Sequence, residues 1–322
     1  MRTTAMIIAT VFFGTLALGC AQDNAPDDDG AGTSDSGGTG SSTDGAPTTA
    51  STTVSSSGTP AEESSGAAES ESGDTAPATT GEGECPASPT RLVVLGDSIF
   101  VCGSVGGKDS ETCSAKLFHD HVSESVGPVS YENLAVGGAV THDVVTNQLD
   151  TIPVGMPGHV MVLIFVGGND LSGYIISSDQ DAIDGYAEKR PQLDADWAAI
   201  FAFLDDETNF PDGVTLVMNT QYNPFDDCTA PPYEVMSPVK TELIGDYNDD
   251  LVAKAQSQAG YIADHHAAYL GHGHHYATAA CPFYAEGSDA WMFDQIHPNL
   301  AGHASLATVL ASTADQIYAA CE

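Results

Sequence analysis

The sequence predicts an α/β fold, with helices covering both faces of a mostly parallel five-stranded sheet, and three observations carry that reading. Short unbroken apolar runs, Leu92 to Leu95, His159 to Val166 and Val214 to Met218, have the character of strands buried on both faces. They alternate with longer stretches of helical spacing, the repeating pattern of a doubly wound sheet. Two of them end at glycine-rich polar turns, Gly96-Asp97-Ser98 and Gly167-Gly168-Asn169-Asp170. In an open sheet of this kind, chemistry sits just beyond the carboxyl ends of the strands. Five strands can be counted, too few for a closed barrel of alternating strands and helices.

The chain begins with a segment of another kind. Met1 to Thr4 carry one positive charge, Ala5 to Leu18 are largely apolar, and Ala17-Leu18-Gly19-Cys20 ends the run in small residues. That is the make-up of an export signal over residues 1–19. Its core is shorter than the roughly 20 residues that cross a bilayer. The boundary cysteine resembles the lipobox of bacterial lipoproteins, which implies a lipid on Cys20, although Ala17 stands where that pattern usually has leucine. The expected location is a bacterial membrane reached by export, at the outer membrane or cell surface. Residues 20–85 continue as a linker of Ser, Thr, Gly, Ala, Pro and acid, without an aromatic residue, Lys or Arg. Such a segment buries too little apolar surface to offset the entropy of ordering, so a flexible stalk is expected.

Residues 86–322 are ample for one buried core. Leu92 to Leu95 form the first strand, and Phe100 to Ser110 a glycine-rich loop. Leu117, Phe118 and Val122 share one side of a helix expected over Glu111 to Val126. Val129 to Val136 read as the second strand, turning at Gly137-Gly138-Ala139. A helix starting at Thr141 or His142 holds Val144, Val145, Leu149 and Ile152 and stops at Pro153. His159 to Val166 is the third strand, Trp197 to Leu204 lies in a helix, and Val214 to Met218 is the fourth strand. A proline-containing loop leads to a helix from about Val239 to Ala259; Tyr261 to Asp264 is a weak fifth strand, and Leu300 to Ala319 a closing helix.

The net charge is -37, from 8 Lys+Arg against 45 Asp+Glu. No basic footprint exists for nucleic-acid phosphates, so a nucleic-acid partner is not expected. Of seven cysteines, removing Cys20 leaves six, an even number suited to disulfides in an oxidising compartment. The spacing leaves connectivity open; the expected pairs are Cys102–Cys113 within one loop, Cys228–Cys281 between two late loops, and Cys85–Cys321 across the domain's ends. No cysteine or histidine spacing argues for zinc. Gly271-His272-Gly273-His274-His275 invites a metal reading, but glycines between the histidines suggest a mobile loop, and no metal site is expected there.

Three strand ends carry polar residues that folding does not require: Asp97-Ser98, Asn133 with Gly138, and Gly168-Asn169-Asp170. Asp294-Gln295-Ile296-His297-Pro298 stands just before the last helix. A serine hydroxyl is a weak nucleophile until a base takes its proton, and imidazole, titrating near about 6.5, suits that task at neutral pH. Asp294 and His297 are close enough for one turn to hold both, so the carboxylate can preset the imidazole tautomer. The serine does not sit in a Gly-x-Ser-x-Gly elbow; its surroundings read Gly96-Asp97-Ser98-Ile99-Phe100.

In order and separation, Gly96-Asp97-Ser98-Ile99, Asn133 to Ala139 (NLAVGGA), Gly167 to Asp170 (GGND) and Asp294-x-x-His297-Pro298 resemble the blocks of the SGNH hydrolases of the GDSL lipase/esterase group. The resemblance covers essentially the whole folded domain. It implies a flavodoxin-like three-layer α/β/α sandwich and a serine esterase or lipase that works through an acyl-enzyme, with no cofactor. Ser98 would be the nucleophile, His297 the general base and then acid, and Asp294 the carboxylate that orients it. The oxyanion donors would be the backbone N–H groups of Ser98 and Gly138 and the side-chain amide of Asn169. A glycine at 138 lets substrate oxygen approach closely. Asp97 and Asp170 are expected to brace their loops. Phe100, Tyr222 and Phe225 are candidates for the substrate cleft.

One triad serves many esters. A lipid or other carboxylic ester is expected, with an O-acetyl group on a polysaccharide or cell-wall glycan as the alternative. The lack of a long apolar lid leans toward soluble or short-acyl substrates. A catalytically silent binding module is the non-enzyme alternative, against which the complete set of Ser98, Asn169, Asp294 and His297 speaks. A monomer is expected.

Overall fold

A computed structural model describes residues 86–231 and 233–319. The expected export signal, Cys20, the linker and the Cys85–Cys321 pair lie outside the described residues. Strands β1 (Arg91–Gly96), β2 (Ser130–Asn133), β3 (Val160–Phe165), β4 (Val214–Asn219) and β5 (Tyr261–Ala263) form one sheet in the order β2-β1-β3-β4-β5. Every neighbouring pair is parallel, with Leu95 opposite Ile164 and Gly96 opposite Phe165 at the carboxyl end of β1. The chain steps from β1 outward to β2 and then returns to the other side of β1 for β3. That reversal opens a crevice beyond β1 and β3, the usual place for a site in such sheets.

The helices are α1 (Ser98–Val101), α2 (Ser114–Val126), α3 (Thr141–Asp143), α4 (Gly168–Ile175), α5 (Asp179–Leu204), α6 (Pro238–Ser257), α7 (His265–Tyr269) and α8 (Leu300–Ala319). Alternate strand residues divide the core into two layers, as the period of a strand demands. Val93, Leu95, Val162, Ile164 and Met218 pack with Trp197, Ile200, Leu243 and Tyr247 from α5 and α6. Leu92, Val94, Met161, Leu163 and Phe165 pack with Phe118, Val122, Leu306 and Leu310 from α2 and α8. The result is a three-layer α/β/α sandwich, as expected. No helix among the described residues is long and apolar enough to cross a membrane.

Local chemistry sets the helix ends. Ser237 caps α6 by accepting the Lys240 N–H, and Pro238 fills the first turn, where its missing donor is not needed. Ser178 caps α5 by accepting the Asp181 N–H. Three elements differ from the sequence reading. Helix α5 begins well before Trp197 and runs through Pro191; Ala182, Tyr186, Leu193, Trp197, Ile200 and Leu204 keep one buried face across it, which offsets the lost N–H donor. The segment after α3 winds as a wide turn, Val144–Gln148, and a tight one, Leu149–Thr151, rather than a regular helix. Helix α4 continues directly from the GGND turn, where no helix was expected. Cys102–Cys113 and Cys228–Cys281 are bonded as expected.

Candidate active site

The site starts from the end of β1. Gly96 has φ +140, and a Cβ there would stand 2.1 Å from the Phe165 carbonyl oxygen, so glycine is the residue that fits. The Gln148 side chain grips this peptide from both sides, accepting the Gly96 N–H at 2.9 Å and donating to the Gly96 carbonyl at 2.8 Å. Asp97 then caps α1 by accepting the Ile99 N–H at 3.0 Å. Ser98 is the first helical residue, held at the strand end by its neighbours on both sides.

The loop before α8 brings the partner groups. His297 Nε2 lies 3.0 Å from Ser98 Oγ, and His297 Nδ1 lies 2.7 Å from Asp294 Oδ2. The other oxygen of Asp294 accepts the N–H groups of Ile296 and His297, at 2.9 and 2.8 Å. One carboxylate therefore shapes the turn and orients the ring that the turn presents. Partial burial pushes the Asp294 carboxyl up, but hydrogen bonds from Ile296, from the His297 ring and from the His297 N–H outweigh it and hold the group below the usual range. The Tyr222 hydroxyl donates to the Ile296 carbonyl and ties this loop to the segment after β4.

Asn169, in the first turn of α4, lines the same cavity as Ser98. One amide N–H of Asn169 donates to the Ala139 carbonyl at 3.0 Å; an amide nitrogen carries two donors, so a second remains for a ligand. Gly138, next to Ala139, has φ +79, and an added Cβ would meet no protein atom within 4 Å. The backbone conformation is thus what calls for glycine here. Gly138 borders an adjoining depression with Asp143, Asn147 and Gln148 rather than the cavity at Ser98.

Behind these groups lie two buried acids. Burial, and to a smaller degree the Asp170 charge, pushes the Asp97 carboxyl up to about 7 against the opposing Ile99 hydrogen bond. Asp170 Oδ2 accepts from the N–H and the hydroxyl of Thr141, and Lys189 Nζ stands 3.3 Å from Oδ1. Both acids brace backbone: Asp97 the helix that Ser98 begins, Asp170 the start of α3. Asn133 also braces, donating to the Phe100 carbonyl at 2.8 Å and accepting the Ala135 N–H at 3.1 Å.

The model of the GDSL-like lipase/acylhydrolase family matches residues 92–310, which include every one of these groups. The chain belongs to the GDSL-like lipase/acylhydrolase family. As a member, it is a serine ester hydrolase that works through an acyl-enzyme. No curated protein matches the chain. Among solved structures it is similar to an acetylxylan esterase from Geobacillus stearothermophilus, at 17% identity over 72% of this chain and 96% of the other, with a TM-score of 0.48. It is also similar to an extracellular lipase from Streptomyces rimosus, at 20% identity over 70% and 99%, TM-score 0.49. A phospholipase A1 from Streptomyces albidoflavus matches at 19% identity over 70% and 99%, TM-score 0.48.

Within this GDSL-like hydrolase, Tyr222 and Phe225 line the cavity that opens at Ser98, as expected of cleft residues. Phe100 does not. It is fully buried and meets Phe165 edge to face in the core. The correction follows from helical phase: α1 starts at Ser98, so a side chain two positions on is turned roughly 200° away. Ile99 borders the cavity instead. The sequence reading also missed Leu171 and Ile175 of α4, Ile176 just after it, and Ile244 of α6. Their signal was the spacing of Leu171, Tyr174 and Ile175 directly after GGND, the period of an amphipathic helix.

The histidine stretch is held by hydrogen bonds. Buried Asp226 accepts the N–H groups of Gly271, Gly273 and His275, at 3.0, 2.7 and 2.8 Å, and gathers the stretch around one carboxylate. His272 stacks on Trp291 with ring centroids 3.6 Å apart, and His274 Nε2 lies 3.1 Å from the Gln295 carbonyl. Cys228, His275 and Cys281 come close enough together to suggest metal ligands. The two cysteines are bonded to each other, and the His275 nitrogens face the carbonyls of Phe225 and Ala230 at 2.9 and 2.7 Å, so the cluster offers no thiolate. Other serine–histidine contacts lie at His303 of α8, whose Nδ1 is 3.1 Å from Ser114 Oγ and whose Nε2 is 3.3 Å from Ser104 Oγ; Ser114 and His303 are both buried.

Proposed function

We propose that Ser98, His297 and Asp294 carry the ester hydrolysis, with the N–H groups of Ser98 and Gly138 and the amide of Asn169 receiving the oxyanion. The observation that carries this reading is the unbroken relay from Asp294 through His297 to Ser98, at 2.7 and 3.0 Å, beside a cavity that Ser98 borders. His297 takes the Ser98 proton as Oγ attacks the carbonyl carbon, and Asp294 steadies the imidazolium. The negative charge moves to the carbonyl oxygen, where a single well-placed amide donor stabilises the transition state by about 3 kcal/mol. Collapse breaks the ester C–O bond, and the alcohol leaves with the proton from His297. Water, deprotonated by His297, then attacks the acyl group on Ser98 and releases the acid.

The test is turnover of p-nitrophenyl esters by the full chain beside Ser98→Ala. The variant should unfold at the same temperature and lose kcat by on the order of 10⁴-fold or more. Retained turnover would end the assignment.

The reading extends to where the enzyme works. Residues 1–19 serve as a lipoprotein-type export signal, 20–85 as a lipidated cysteine and stalk, and 86–322 as a monomeric hydrolase domain facing an extracytoplasmic space. Two formed disulfides support an oxidising compartment. The remaining pair, Cys85 and Cys321, would close the domain.

A further inference from the structure

We infer that the cavity beside Ser98 is an acyl subsite, built for an unbranched chain of about six carbons rather than for acetate; the inference rests on Ser98 being the nucleophile. The cavity is polar where it meets the chemistry, at Ser98, Asn169 and Gln221, and apolar beyond. Its apolar part is graded from floor to mouth. Leu171, Ile244 and Phe225 are 2%, 2% and 8% exposed, whereas Ile296 and Ile176 at the mouth are 43% and 77% exposed. A chain entering past Ile176 and Ile296 would pass Ser98 and come to rest against side chains already out of water.

Size decides against acetate. The cavity holds about 150 Å³, the volume that accommodates a benzene ring in an apolar protein interior. An acetyl methyl would leave most of it unfilled. Position decides which half of the ester it takes. The leaving oxygen must come within reach of His297 Nε2 to receive its proton, yet neither His297 nor Asp294 borders the cavity. Gln295 and Ile296 of the His297 loop border the mouth, while the deep walls come from α4, beyond the Asn169 amide, and from α6 and the segment after β4. That is the side on which the acyl carbon's own substituent points when its oxygen faces Asn169 and its leaving group faces His297.

Apolar burial sets the expected gradient. Each methylene removed from water is worth about fourfold in kcat/KM, so hexanoate should exceed acetate by on the order of 100-fold. The experiment uses the full chain on two ester series. In one, p-nitrophenol is constant and the acyl group grows from two to about twelve carbons; in the other, acetate is constant and the alkyl alcohol grows. The acyl series should climb to about six carbons and flatten or fall beyond about eight, while the alcohol series stays within a few-fold. Ile244→Phe should shorten the optimum and Ile244→Ala lengthen it, each read as the hexanoate-to-acetate ratio in protein whose thermal unfolding remains cooperative. An acetate optimum in the wild type, a gradient confined to the alcohol series, or ratios indifferent to both Ile244 variants would overturn the subsite. Absence of Ser98-dependent turnover of every ester would instead overturn the triad beneath it.

Discussion

Asp97 sits buried beside Ser98, with its carboxyl pushed up to about 7 from an ordinary 3.8. A carboxyl raised in the folded state binds its proton more tightly there than in the unfolded chain. Its contribution to stability is therefore complete below 3.8 and is lost as pH rises to about 7. Asp97→Asn cannot titrate, so its unfolding temperature should gain on the wild type between pH 4 and 7; a gap that stays constant over that range would refute the assignment. His265 and His303 run the other way. Burial pushes them down to about 3 and about 4, so stability present above 6.5 is lost as pH falls toward those values. On the proposed mechanism Asn169→Ala removes one oxyanion donor, so it should lower kcat on any turned-over ester by about 10²- to 10³-fold with little change in unfolding temperature. At this scale the sequence is most legible where a motif fixes both residue type and backbone: Asp294 and His297 come to Ser98 by hydrogen bonds, and Ser98 and Asn169 border one cavity. Phe100 was misread because its direction depends on helix phase, which no motif states.

Among the elements, the strap from Gly271 to His275 contacts the loop that carries His297. Asp226 holds the strap, His272 and His274 hold the loop at Trp291 and Gln295, and the Cys228–Cys281 bond closes the assembly from behind. Asp226→Asn leaves one acceptor oxygen where two served three buried N–H groups. Destabilisation of about 1–3 kcal/mol is expected, read by thermal unfolding, together with a lower kcat. An unchanged unfolding temperature would count against the strap's role. Strands were the easiest elements to read, since β1, β3 and β4 are continuous apolar runs that no exposed segment imitates. Helices α4 and α5 were not, because a helix can start at a catalytic turn or run through Pro191 when its buried face supplies the stabilisation. The histidine stretch shows the same limit: its hydrogen bonds go to a carboxylate 45 or more residues earlier in the chain, which the local glycine pattern does not reveal.

For the whole molecule, the acidic chain is expected to work on a tether. If Cys20 is the lipid-bearing residue, growth with a labelled fatty acid should mark the wild-type chain in the membrane fraction, and Cys20→Ser should lose the label while keeping ester turnover. A wild-type chain that carries no label and separates with the soluble fraction would refute the anchor. Sheet order and layering followed from the alternation of strand and helix signals. The cavity's depth did not, because it depends on Leu171 and Ile244 meeting from separate helices.

His297 and Asp294 sit three residues apart on one loop, with side chains 31% and 46% exposed, while Ser98 follows the end of a buried strand. An exposed loop opens at lower cost than a buried strand, so ester turnover is expected to fall on warming before the sheet unfolds. A turnover midpoint that coincides with the thermal unfolding midpoint would refute this.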